Sequence, residues 1–139
     1  MMPAPPPQAF RCWTQEKLRN ADTDQFHHVN NAVMASFFEA GRMEIFSPDE
    51  ARPLMEGANL AVVRLVIDFH RELFYPGDVR IGSIIKRIGN SSFEVAQALY
   101  SSDICIASAE ATCVLFDPAR GRAQPISARL RGYLNDRSI

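Results

Sequence analysis

From Asn31 onward the apolar residues recur at three- and four-residue spacings, and Val33, Met34, Phe37, Phe38, Gly41 and Ile45 form one stripe. That periodicity predicts an amphipathic helix over residues 31–46. Asn30 or Asn31 can cap its start. Pro48 disfavours helix at Ser47 and so ends it, and a short second helix is expected over 48–56. Ahead of the helix, residues 10–20 read as a strand and 21–30 as a polar turn. Beyond residue 60 the period changes to two. Val63, Leu65, Ile67 and Phe69 face one way, and Arg64, Asp68 and His70 the other, which predicts a strand over 60–73. Tyr75-Pro76-Gly77-Asp78 carries the type II turn signature, with Pro second and Gly third. Strands follow at 79–88, 92–100 and 104–116, separated by turns at 89–91 and 101–103. Asp117 to Gly121 closes the last strand, and a short final element starts near Pro125.

One face of the last long strand carries Cys105, Ala107, Ala109, Ala111 and Cys113. Small side chains let another element approach closely, and its natural partner is the helix, with Phe37 and Phe38 filling the space. The expected fold class is therefore α+β, with one long helix wrapped by a curved antiparallel sheet. No internal repeat or interdomain linker interrupts the pattern. Residues 1–9 read as a flexible Pro-rich tail and 10–139 as one domain.

The 139 residues suit a single core. Apolar residues make up 47% and charged residues 22%, an ordinary globular balance. A net charge of −1 gives no electrostatic reason to expect a nucleic-acid partner. Arginine outnumbers lysine but is spread along the chain. Cys12, Cys105 and Cys113 include no CxxC pair, so they read as small hydrophobes in a reducing compartment rather than as a disulfide framework. The first residues lack a basic segment followed by an apolar one, and no apolar run approaches the roughly 20 residues of a membrane helix. The expectation is a cytoplasmic protein without a membrane partner.

The candidate chemistry sits in the turn, where Asp22, Asp24, His27, His28, Asn30 and Asn31 crowd into ten residues before the helix. Aspartates here can simply bond their own backbone. The same placement also sets a carboxylate beside the free amides at a helix start, an arrangement suited to a polarised carbonyl. The side chains include zinc and iron ligand types. Neighbouring histidines point apart, however, and no further ligand follows at helical spacing, so no metal is expected. Glu39 and Arg42, three apart on the helix, fit a surface ion pair, while Glu39 could instead point into a cleft. Arg64, Arg71, Arg80, Lys86 and Arg87 read as a solvated strand face.

Asp22-Thr23-Asp24, then His28-Val29-Asn30-Asn31 and a helix with Glu39 and Arg42, resembles the hot-dog fold thioesterases, specifically the 4-hydroxybenzoyl-CoA thioesterase-like group. Asp68-Phe69-His70-Arg71 followed by Pro76-Gly77-Asp78, and the order of elements, resemble it too. The resemblance spans residues 10–130. It implies a hydrolase that cleaves acyl-CoA, or another acyl thioester, at a site between two subunits and without a cofactor. Asp24 would be the carboxylate, as nucleophile or as general base on water, and the Asn31 backbone N–H would meet the thioester oxygen. Asp22 would hold the turn, with His28 in support and Glu39 a secondary candidate. His27, Met34 and Phe38 would shape the substrate pocket, and one or two of Arg64, Arg71, Arg80, Lys86 and Arg87 could hold the CoA phosphates. Two sheets would join edge to edge in a homodimer, with a dimer of dimers as the larger form. Two positions depart from the family, which often has Gly where His27 stands and an aromatic residue where Met34 stands. The chemistry itself needs little, because a thioester is already electrophilic and one placed carboxylate can attack it or deprotonate water. Two other readings stay open: a hot-dog dehydratase or hydratase pairing a carboxylate with a histidine, and a non-catalytic acyl-thioester binding module.

Overall fold

Among the described residues the chain forms six strands and two α-helices. They are β1 (Cys12–Lys17), α1 (Asn31–Glu44), β2 (Asn59–Phe69), β3 (Asp78–Ile88), β4 (Ser92–Ser101), β5 (Ile104–Asp117), β6 (Arg122–Ala123) and α2 (Ala128–Asn135). The structure is a computed structural model and describes residues 4–138. All strands pair antiparallel in one sheet of order β1-β3-β4-β5-β2, with β6 added to the end of β5. The sheet curls around α1, which lies against β1, β3 and β4. This is the α+β arrangement expected from the change of period.

The helix sits where its apolar stripe and the small face of β5 meet. Phe37 and Phe38 pack with Ala107 and Ala109, together with Ile81 and Leu99. Farther along the same side, Ile45, Ile85, Phe93 and Leu115 join Leu130 and Leu134 of α2. Gly41 allows the closest approach. A Cβ there would lie 2.7 Å from Gln97 Nε2 and 2.8 Å from Ile81 Cγ2. Gln97 is fully buried. Its Nε2 donates to Phe38 O and to Ser83 Oγ, both at 2.9 Å, tying α1 to β4 and β3.

Several expectations change on folding. The small face of β5 is broken by a register shift between Leu99 and Tyr100, so Cys105 packs with Phe10, Ala98 and Tyr100 on the opposite side of the sheet. The segment expected as a second helix supplies only a short 3-10 turn, Arg52–Met55. Strand β2 ends at Phe69 rather than at residue 73. Gly77 has φ +145°, far from the roughly +80° of a type II turn. Residues 1–3 of the expected tail lie outside the described residues. Residues 4–9 pack against the protein: Pro7–Ala9 form a 3-10 turn, Pro5 O accepts from Tyr100 Oη, and Ala4 joins the Phe10 cluster.

Candidate active site

The polar turn is built by its own side chains. Residues Asn20–Asp22 form a 3-10 turn. The buried Asp22 carboxylate accepts from Arg19 N at 2.8 Å, Nη2 at 2.9 Å and Nε at 3.3 Å. Burial by itself would raise the Asp22 pKa. The side-chain and backbone hydrogen bonds from Arg19, with its charge, outweigh that and hold it below the ordinary aspartate value. Asp22 O accepts from Asn30 N at 2.8 Å, and Val29 N donates to Leu73 O at 2.7 Å. These two bonds, with Val29 buried beneath them, fix the entry into α1.

Asp24 closes the tip of the turn. Its Oδ1 accepts from Phe26 N at 2.8 Å and His28 N at 3.3 Å. Its Oδ2 makes no hydrogen bond among the described residues. His27 is exposed and left-handed, with φ +68°. That conformation is costly for any residue with a Cβ and free for glycine. The His28 ring stands edge-on to Phe74 at 5.0 Å, and its Nε2 lies 3.7 Å from Glu72 Oε1. Asn30 caps α1, its side chain accepting from Ala32 N at 2.9 Å. Asn31 is the first helical residue, and its N–H has no acceptor among the described residues, as expected for a first-turn amide.

A cleft of about 230 Å³ opens at this helix start, lined by His28, Asn31, Met34, His70, Arg71 and Glu72 among others. Asn31, His28 and Met34 are thus brought together. Asp24 and His27 stand on the adjoining turn and are not part of the lining. Phe38, expected beside the substrate, is fully buried in the core, because it lies on the stripe that faces the sheet. Glu39 borders a separate cleft of about 330 Å³ toward the other end of α1, with Arg42, Phe46, Val62, Phe93 and Cys113. The Glu39–Arg42 ion pair does not form. Arg42 turns inward and donates from Nη1 to Gln97 Oε1 at 3.3 Å. Burial pushes the Cys113 thiol up to about 11. Among the described residues no group of three or more histidine, cysteine or acidic side chains could hold a metal.

The basic strand residues divide by surroundings. Arg80 lies over the Trp13 ring at 4.7 Å, Lys86 pairs with Glu110, and Arg71 borders the first cleft. His70 meets Ser108 Oγ at 2.9 Å. That pair and the buried Gln97 were not legible in the sequence, since each depends on which strands become neighbours. Among the described residues no helix is long and apolar enough to cross a membrane.

Comparison with known proteins agrees with the fold. The model of the thioesterase-like superfamily matches residues 18–134. A predicted thioesterase from Bacillus stearothermophilus is similar in structure, with TM-score 0.83, 27% identity, and 92% of this chain and 96% of that one covered. A thioesterase from Thermus thermophilus, solved with coenzyme A and Zn, gives TM-score 0.82 at 25% identity over 93% of this chain and 95% of that one. A Pseudomonas aeruginosa protein shares the fold, with TM-score 0.83 at 21% identity over 98% and 97% of the two chains. No curated protein matches the chain.

Proposed function

This chain belongs to the thioesterase-like superfamily, and we propose that it hydrolyses acyl-CoA thioesters as a homodimer, with Asp24 and the Asn31 N–H as the working groups. One observation carries the reading. Asp24 is held by Oδ1 alone, which leaves Oδ2 without a partner among the described residues, on the turn that leads into a helix whose first amide is also unpaired. A thioester oxygen accepting from Asn31 N–H gains a donor aimed at the charge that develops there. Asp24 Oδ2 then either takes a proton from water as the water attacks, or attacks the carbonyl carbon to give a mixed anhydride that water opens. In both routes the C–S bond breaks and CoA leaves as the thiol. The Thermus thermophilus relative solved with coenzyme A supports CoA as the carrier.

The exposed edge of β2 supports the dimer. β2 is an edge strand, yet Val62, Val63, Leu65, Val66 and Phe69 are all exposed on it. A long apolar edge calls for a partner strand. A second copy joined there would also cover the shallow cleft at the helix start, which Phe69 borders.

Asp24→Asn is the direct test. Asparagine keeps the Oδ1 acceptor and hence the turn, but cannot act as base or nucleophile. Hydrolysis across an acyl-CoA panel, followed by free thiol, should fall roughly 100- to 10,000-fold with the melting temperature nearly unchanged. Full activity in that variant would remove Asp24 from the mechanism.

A further inference from the structure

The second cleft contains a cation without a counter-ion. Arg42 is 4% exposed. Its one hydrogen bond among the described residues runs from Nη1 to the neutral Gln97 side chain, and its Nε is buried with no partner. No carboxylate among the described residues forms an ion pair with it. The surroundings are otherwise apolar, with Phe46, Val62, Phe93 and Val95 as walls and Glu39 at an exposed position beside them. Gln97 cannot neutralise the guanidinium, but it does fix it: with Nε2 committed to Phe38 O and Ser83 Oγ, only Oε1 faces Arg42. A preset, desolvated guanidinium in an apolar cleft is a recognition group for an anion.

We propose that this cleft receives the far end of the acyl group, and that Arg42 selects acyl groups ending in a carboxylate, the monothioesters of dicarboxylic acids. The inference rests on the thioesterase reading and on the dimer. Within one chain Asn31 and Arg42 are eleven residues apart on α1, about 16 Å, too far for a short acyl group. Strand β2 closes that distance. Phe69 at its end borders the Asn31 cleft, and Leu60 and Val62 at its start border the Arg42 cleft. Antiparallel pairing of β2 with a second copy sets the start of one strand against the end of the other. A thioester polarised by Asn31 of one subunit then points its acyl group toward the partner subunit's Arg42.

The readout is the ratio of kcat/KM for adipyl-CoA to that for hexanoyl-CoA, which have the same chain length with and without the carboxylate. The wild-type ratio should exceed about ten, because a site built around a charge rejects the analogue that lacks its partner. In Arg42→Met the ratio should collapse toward one, and Arg42→Lys should restore part of it. A wild-type ratio of one or below overturns the proposal, whether or not the variants fold. So does a ratio unchanged in folded Arg42→Met. If neither thioester is cleaved, the thioesterase reading fails instead. Calorimetric titration with the same two compounds then decides the cleft, with Arg42-dependent preference for adipyl-CoA upholding it and equal binding removing it.

Discussion

Asn31 occupies the first position of α1, where a backbone N–H can be removed without breaking the helix. Proline is favoured at that position because the amide there has no helical acceptor. The preceding Asn30, at φ −62° and ψ 137°, already has the extended conformation that proline requires before it. Asn31→Pro should therefore keep the melting temperature close to that of the wild type while lowering kcat on the order of 100-fold, the usual cost of losing an oxyanion donor. Asn31→Ala, which keeps the amide, should lose far less, and steady-state hydrolysis separates the two. His27 shows the same backbone logic from the other side. The family resemblance marks a position often held by glycine, and the left-handed φ of +68° supplies the physical reason. Here a histidine accepts that conformation and projects into solvent beside Asp24.

The turn between β1 and α1 is held by Asp22, and its stability should follow the charge of that carboxylate. The pKa is lowered in the folded protein, whereas in the unfolded chain it is near 3.9. The folded state thus prefers the ionised form. That contribution is fully present above about pH 4 and is lost as pH falls through the lower folded value. Asp22→Asn should destabilise the protein at neutral pH by about 1.5–3 kcal/mol, the range for hydrogen bonds to a charged group. By urea denaturation the gap between wild type and variant should shrink as pH falls below about 4 and close below the folded value. A gap that persists undiminished in acid would mean that shape rather than charge holds the turn. The helix after it was legible from spacing alone, because its stripe faces a sheet on one side only. Strand β2 was legible as a strand but not as an edge. Its alternation predicts that Val63 shares a face with Leu65, Ile67 and Phe69, yet a register shift between Val62 and Arg64 leaves Val63 without a partner on β5 and 64% exposed, and puts Val62 in step with Leu65 instead.

At the scale of the whole molecule that open edge gathers Val62, Val63, Leu65, Val66 and Phe69 on one exposed strand. Val63→Lys or Val66→Lys would place like charges near one another across a two-fold strand pairing. Either change should weaken the dimer by on the order of 100-fold or more, seen by sedimentation, and lower activity in parallel if each site needs both subunits. A variant that stayed dimeric at wild-type concentrations would place the interface elsewhere.

By itself the sequence determined the succession of elements, the helix and its cap, and the turn in which Asp22, Asp24 and Asn31 sit, because each depends on neighbours within a few residues. The hydrogen bonds from Phe26 and His28 to Asp24 and the unpaired amide of Asn31 are local in the same sense. The tertiary structure decided which residues meet across the chain. It buried Phe38, turned Arg42 away from Glu39 toward Gln97, moved Cys105 to the far side of the sheet through one register shift, and separated the two clefts along α1. Those outcomes depend on strand order and on how closely α1 settles over Gly41, and contacts between residues dozens of positions apart leave no periodic trace in the chain that makes them.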